Sequence, residues 1–110
     1  MKIINGRKTE YEIDDIFLKR HSSRAMSGEK VSEEKLMTVL EAARWAPSSY
    51  NAQPWRFIYA MRETKEFENI FSALVDFNKS WCARAAALIV VVSKKTNEGG
   101  KENINHSFDT

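Results

Sequence analysis

The apolar run at residues 88–92 limits the possible folds of this chain more than any other stretch. It reads Leu-Ile-Val-Val-Val and has no polar residue at alternate positions. Such a β-branched run is typical of a central strand that is covered on both faces. The chain has 110 residues, which is enough for one small domain with a modest core. The sequence therefore predicts a single domain in which other elements cover this strand.

Hydrophobic periodicity predicts helices on both sides of a second strand. Ser32 can cap a helix that ends before Pro47, because the residue that precedes a proline is pushed out of helical geometry. Residues 55–60 place aromatic side chains at alternate positions, as in a strand packed on one face. Thr64 begins another helix with an apolar stripe, and the run at residues 75–81 is predicted to interrupt it. A short helix is also predicted within residues 14–19.

Residues 46–55 connect the first long helix to this strand and have an unusual composition for a connector. They read Ala-Pro-Ser-Ser-Tyr-Asn-Ala-Gln-Pro-Trp, so two hydroxyls and two carboxamides lie between two prolines. The prolines fix φ and limit flexibility, which suits a segment that holds a polar ligand in place. The alternative is a helix end with a proline stop and a local network of Asx and Ser turns. Composition alone leaves both interpretations open.

A basic cluster with the sequence Arg-His-Ser-Ser-Arg occupies residues 20–24. Each guanidinium offers a fork of hydrogen-bond donors and each hydroxyl adds another, so the cluster is suited to binding a phosphate group. The alternative is a solvated loop in which the arginines share no function. Further along the chain, Asn78 is the polar residue of the 75–81 run best suited to a special task, and a hydrogen-bonded turn asparagine is the competing interpretation.

Charge, cysteine and histidine content argue against several classes of protein. Lys and Arg number 17 against 15 Asp and Glu, a formal net charge of +2, which is too small to indicate nucleic acid binding. Cys82 is the single cysteine, so it has no partner for an internal disulfide and is expected to fill the core. His21 and His106 lie far apart, and no spacing resembles a metal site. The N-terminus does not read as a signal peptide and no apolar run is long enough for a membrane span, so a cytoplasmic setting is expected.

Three of these segments together resemble the N-terminal half of the nitroreductase family. They are the basic cluster at residues 20–24, the connector at residues 46–55 and the pair Phe77-Asn78. The Pro-Ser-Ser-x-Asn-x-Gln-Pro-Trp pattern of the connector is specific to that family, and the order and separation of the three segments add to the match. The resemblance runs from about Asp14 to the end of the chain.

The resemblance implies a flavin site. The family consists of FMN-dependent oxidoreductases that use NAD(P)H, act on small electron-poor acceptors such as nitroaromatics or quinones, and form intertwined homodimers. A first set of residues matches the segment that binds FMN through its phosphate, ribityl chain and pyrimidine edge. A second set matches the segment that reaches the flavin from the other subunit, and a third the asparagine that hydrogen-bonds the flavin ring. The sets are Arg20, His21, Ser22 and Arg24; Pro47, Ser48, Ser49 and Asn51, with Gln53 as a neighbouring candidate; and Asn78.

The fold implied by the resemblance is an α+β sandwich, in which helices flank a mainly antiparallel sheet, truncated at the C-terminal side. Residues 1–13 are expected to form a leader, residues 14–93 the core elements, and residues 94–110 a flexible loop and the start of a further element. Because family members continue beyond this point, the strand at residues 88–92 is expected to lose a covering layer and to expose apolar surface. The alternative function is that of a non-catalytic fragment that associates through such faces without binding flavin.

Overall fold

Helices and two antiparallel strand pairs make up the structure. The computed structural model of the protein describes residues 2–110. Their mixture of helices and antiparallel pairs confirms the α+β class that the sequence predicts. Along the described chain the elements are β1 (Ile3–Ile4), β2 (Arg7–Lys8), α1 (Ile16–Lys19), α2 (Glu33–Arg44), a 3-10 helix (Ser49–Asn51), β3 (Trp55–Met61), α3 (Lys65–Ser72), α4 (Asp76–Cys82), β4 (Ala87–Ser93) and α5 (His106–Asp109).

The main sheet consists of β3 and β4, which pair antiparallel over the full length of both strands. At one end of the pair Trp55 lies opposite Ser93. One backbone hydrogen bond extends the ladder beyond that end, from the Lys94 amide to the Pro54 carbonyl at 2.7 Å. The ladder therefore holds the end of the connector next to the residues that follow β4.

The apolar core is small and centres on α3, which packs against both β3 and β4. The Phe67 ring is buried and stacks on the Phe71 ring, with ring centroids 6.1 Å apart and planes 12° apart. The burial of Phe67 shows that this face of the helix after Thr64 lies against the core. The buried hydrophobic side chains of the described residues are Leu18, Leu36, Ala60, Phe67 and Cys82.

β4 is less covered than the sequence predicts. Its residues 89–92 are 38–52% exposed, so the prediction of a strand covered on both faces is wrong for the part of the protein described. The radius of gyration is 17.2 Å, whereas a closed domain of this length has a radius of about 13 Å. The described chain is therefore open, and it exposes apolar surface at β4 as the family resemblance implies.

The helix boundaries follow local capping chemistry. The Ser32 and Thr64 hydroxyls each accept a hydrogen bond from a backbone amide three residues on, at 3.1 Å in both cases, and so cap α2 and α3. The run at residues 75–81, predicted to interrupt a helix, instead lies mostly within α4. Residues 73–75 separate α3 from α4. Val75 has extended backbone, and Asp76 places a carboxylate in the favourable first turn. Asn78 therefore lies in a helix and not in a turn.

The N-terminal residues, predicted to form a leader, contain the β1–β2 hairpin. Its turn residues Asn5 and Gly6 have φ of 52° and 71°, as the preferred two-residue hairpin turn requires. Asn5 Nδ2 donates to the Lys19 carbonyl at 3.3 Å, and Arg7 Nη1 donates to the Arg20 carbonyl at 2.6 Å. The hairpin thus holds the end of α1 and the start of the basic cluster.

Candidate cofactor site

The basic cluster at residues 20–24, called the arginine segment from here on, follows α1 and has an exposed, irregular backbone. His21 Nδ1 lies 3.1 Å from the Lys19 carbonyl oxygen, which accepts a hydrogen bond when the ring proton is on Nδ1. The Arg24 guanidinium packs on the ring of Phe77, the residue before Asn78. Among residues 2–110 neither Arg20 nor Arg24 forms an ion pair with a carboxylate. Their charges are therefore available to an anionic ligand.

Residues 47–54 of the connector are called the site loop. The site loop contains the 3-10 helix and is held by hydrogen bonds at several points. The Ser48 hydroxyl oxygen accepts from the Gln53 amide at 3.0 Å, which closes the loop on itself. The Ser49 amide donates to Asp109 Oδ2 at 2.8 Å. The Ser49 amide is therefore already paired within the chain, whereas the Ser48 hydroxyl proton is still free to donate because its oxygen acts here as an acceptor.

The site loop is also strained. Tyr50, Asn51 and Gln53 have φ of 52°, 51° and 46°, in the left-handed region that non-glycine residues rarely adopt. Asparagine tolerates this conformation, but tyrosine and glutamine do not favour it. Tyr50 is fully exposed, so packing of its side chain cannot compensate for the strain. Such backbone persists only where the surrounding structure restrains it, and it is concentrated at functional sites.

A cleft of about 700 Å³ lies beside the site loop, a volume within the range of small-molecule sites. It places the carboxamides of Asn51 and Gln53 near a turn that carries one cation and one anion. Its lining residues are Tyr50, Asn51, Ala52, Gln53, Asn97, Glu98 and Lys101. The cleft therefore offers neutral donors and acceptors together with the Lys101 ammonium.

The predicted site residues form two groups in the structure. Arg24 contacts Phe77, the neighbour of Asn78 in sequence, and this contact joins the arginine segment to α4. The site loop instead contacts residues 94–110 through Asp109 and Lys94. Within residues 2–110 no hydrogen bond or ion pair joins the arginine segment to the site loop. Convergence of the two groups on one ligand across a homodimer stays a prediction.

Several residues that position the site are not apparent from the sequence. Asn5 and Arg7 hold the start of the arginine segment, and the Asn-Gly pair at residues 5–6 is a hairpin signal that could have revealed this. Phe77 supports Arg24 from a distant part of the chain. Asp109 contacts Ser49 across 60 positions. No local pattern predicts contacts at such separations.

Other kinds of site receive no support from the described residues. Cys82 is buried, and burial raises the pKa of its thiol, so it fills the core as predicted and is a poor nucleophile. No group of three His, Cys, Asp or Glu side chains within residues 2–110 is arranged to hold a metal ion. In the same residues, no helix has the length and apolar character needed to cross a membrane.

The fold and site define a class, an α+β protein with a basic segment and a polar loop suited to an anionic organic cofactor. The profile of the Nitroreductase family matches residues 17–107. An oxygen-insensitive NADPH nitroreductase of Helicobacter acinonychis (strain Sheeba) is 37% identical over 99 residues, which are 89% of this chain and 44% of that protein. The chain belongs to the nitroreductase family.

Solved structures agree with this assignment. A crystal structure of an oxidoreductase containing FMN has 39% sequence identity and a TM-score of 0.91, and the match covers 99% of this chain and 57% of that one. A Desulfovibrio desulfuricans protein in complex with FMN has 31% identity and a TM-score of 0.63, over 76% of this chain and 47% of that one. The chain thus spans about half the length of these relatives.

Proposed function

We propose that this protein is an FMN-dependent oxidoreductase of the nitroreductase type, which transfers hydride from NAD(P)H to a small electron-poor acceptor such as a nitroaromatic or a quinone. The observation that carries the proposal is the pair of guanidinium groups, Arg20 and Arg24, that have no carboxylate partner among residues 2–110. Family membership and the FMN of the similar structures support the same cofactor.

The donors of the arginine segment fit the FMN phosphate. Guanidinium groups bind phosphate oxygens through paired hydrogen bonds, and hydroxyls add single ones. We assign Arg20 and Ser22 to this role, with His21 beside them. Arg24, which packs on Phe77 of α4, and Asn78 of the same helix are assigned to the polar edge of the flavin ring, where a cation stabilises negative charge. The exposed backbone of the arginine segment leaves these donors accessible.

The site loop supplies the second part of the cradle. The Ser48 hydroxyl and the carboxamides of Asn51 and Gln53 are assigned to hydrogen bonds with the cofactor, and Pro47 to fixing the loop entrance. Ser49 contributes through its side chain, because its amide is already paired with Asp109. Since no hydrogen bond joins this loop to the arginine segment within residues 2–110, we propose that a homodimer brings them together.

The chain itself needs little chemistry of its own. FMN, when bound, supplies the hydride chemistry between NAD(P)H and the acceptor. The residues of the chain bind and orient the cofactor, and no residue is assigned as nucleophile or general base. The class of acceptor and the cytoplasmic location stay predictions.

The experiment is a titration of the purified protein with FMN, followed by flavin fluorescence, thermal melting and size-exclusion chromatography. Binding should quench the flavin fluorescence and raise the melting temperature, because a ligand that binds only the folded form stabilises it. The protein should elute as a dimer, and NAD(P)H should then be oxidised in the presence of a quinone. Riboflavin, which lacks the phosphate, is the matched control ligand and should bind more weakly.

Two results would count against the proposal. Equal affinity for FMN and riboflavin would show that the arginine segment does not bind phosphate. Self-association with neither fluorescence quenching nor a shift in melting temperature would favour the alternative of a non-catalytic fragment.

A further inference from the structure

We propose that residues 94–110, called the clamp segment, hold the site loop in its strained conformation, with Asp109 as the positioning residue. The clamp segment follows β4 directly and touches the site loop near both of its ends. The Lys94 amide donates to the Pro54 carbonyl at 2.7 Å. At the other end Asp109 Oδ2 accepts from the Ser49 amide at 2.8 Å. One continuous stretch of chain therefore holds two points of the site loop.

The clamp segment is itself well anchored. The Asn103 amide donates to the Lys95 carbonyl at 2.7 Å, and Asn103 is 5% exposed. The Asn103 side-chain oxygen accepts from the Asn105 amide at 3.1 Å, at the start of α5. His106 Nδ1 and the Ser93 hydroxyl oxygen lie 2.7 Å apart, which ties α5 to the end of β4. Asp109 is thus presented from a helix that is fixed to the sheet.

The strained backbone of the site loop explains why the loop needs restraint from the clamp segment. Tyr50, Asn51 and Gln53 all have positive φ, and without restraint these residues would relax to ordinary conformations. The 3-10 helix is too short to hold itself, since its amides at Asn51 and Ala52 reach back only to Ser48 and Ser49. The Asp109 carboxylate accepts from the first amide of this helix, that of Ser49. Such a charge-assisted hydrogen bond is roughly twice as strong as a neutral one.

The link from the clamp to the cofactor rests on the proposed function. If Asn51 and Gln53 contact FMN, then Asp109 sets their position without touching the cofactor. Loss of Asp109 would leave these carboxamides in several conformations, and binding would then have to order them again. Loss of this preorganisation would lower the affinity for the cofactor.

The test uses the full chain with three variants. Asp109→Ala removes the acceptor, Asp109→Asn keeps an acceptor oxygen without the charge, and Ser107→Ala changes an exposed residue of the same helix. Amide hydrogen exchange of the peptide that covers residues 48–54 reports on the loop, and FMN titration reports on the site. Asp109→Ala should speed exchange of this peptide and weaken FMN binding about tenfold, the scale of one charged hydrogen bond.

The conservative variant separates positioning from general stability. Asp109→Asn should restore most of the exchange protection and most of the FMN affinity, while Ser107→Ala should match the wild type in both. Unchanged loop exchange in Asp109→Ala would overturn the clamp. Faster exchange with unchanged FMN affinity would overturn its role at the site. If the wild type does not bind FMN, the proposed function fails, and the exchange data alone still decide whether the clamp holds the loop.

Discussion

The Arg24 guanidinium carbon lies 5.5 Å from the centre of the Phe77 ring, within the range of a cation–π interaction. Phe77 is 63% exposed, so this contact lies at the surface of the protein. The contact holds a flexible cationic side chain on the residue that precedes Asn78. It joins two of the three segments on which the family resemblance depends.

Phe77→Leu should weaken FMN binding about two- to fivefold, the equivalent of an exposed cation–π interaction. Leucine keeps apolar volume on the first turns of α4 but offers no ring face to Arg24. Phe17→Leu is the matched control, because Phe17 is 68% exposed and lies in α1. Fluorescence titration with FMN measures both variants. Equal affinities in the two would show that the ring does not position Arg24 for the cofactor.

Arg20→Ala should weaken FMN binding by about 1.5–3 kcal/mol, the scale of a hydrogen bond to a charged group. The loss should disappear when riboflavin replaces FMN, because the guanidinium is assigned to the phosphate. Lys30→Ala removes an exposed cation elsewhere, where Lys30 Nζ lies 2.9 Å from Glu63 Oε2, and should leave the affinity unchanged. An equal loss for both ligands would place Arg20 elsewhere in the site.

Cys82→Ser should leave FMN affinity nearly unchanged while lowering the stability of the fold. Cys82 is 6% exposed, and a serine hydroxyl buried there without a hydrogen-bond partner costs about 1–3 kcal/mol. Thermal melting measures the loss of stability and FMN titration measures the affinity. Complete loss of flavin binding in a variant that still melts cooperatively would mean that the site lies near α4's C-terminus instead.

Sequence reasoning succeeded where structure depends on neighbours along the chain. The caps at Ser32 and Thr64, the alternation of β3 and the aromatic stripe of α3 follow from spacings of two to four residues. The same reasoning was wrong for residues 75–81, because α3 already ends at Ser72 and a new helix begins directly after the extended residue Val75. The prediction that β4 is covered on both faces was wrong, because coverage depends on the whole tertiary arrangement.

The candidate site was predictable in its residue types but not in its geometry. The composition of the connector indicated a polar loop, whereas the left-handed backbone of Tyr50 and Gln53 opposes their local preferences. Asp109 and Phe77 act on the site from distant parts of the chain. Such contacts require knowledge of the fold, and the sequence of a single chain does not contain it in any short pattern.

Gly28→Ala should destabilise the protein more than Gly99→Ala. Both glycines have positive φ, of 83° and 85°, so alanine should cost about 1–2 kcal/mol at each through backbone strain. A Cβ at Gly28 would also lie 2.9 Å from Arg84 Nη2, whereas nothing lies within 4 Å at Gly99. Arg84 would have to move and lose its 2.8 Å hydrogen bond to the Ser27 carbonyl, which adds about 1 kcal/mol.

Chemical denaturation of both variants, alone and combined with Arg84→Ala, measures this difference. In the Arg84→Ala background the two glycine variants should become equally destabilising, because the obstructing side chain is gone. A difference that persists without Arg84 would mean that the backbone around Gly28, and not the guanidinium, resists the added methyl group.

The Tyr59 hydroxyl should ionise at a higher pH than an ordinary tyrosine. It donates to Glu33 Oε1 at 2.6 Å, and this hydrogen bond to a carboxylate raises the pKa of Tyr59 above its ordinary value. Because the pKa of Tyr59 is higher in the folded state than in the unfolded state, the hydrogen bond stabilises the fold below about pH 10. This stabilisation is lost as the pH rises through the folded-state pKa. The chain has three tyrosines, so Tyr11→Phe with Tyr50→Phe leaves Tyr59 as the single reporter.

Ultraviolet titration of tyrosinate in that double variant measures the Tyr59 pKa directly. Adding Glu33→Gln, which keeps an acceptor oxygen but removes the charge, should return the midpoint toward the ordinary value. Melting temperatures across the same range should fall for the wild type as Tyr59 ionises, and this component should be missing in Tyr59→Phe. Identical titration midpoints with Glu33 and with Gln at that position would show that α2 and β3 are not joined by this hydrogen bond in solution.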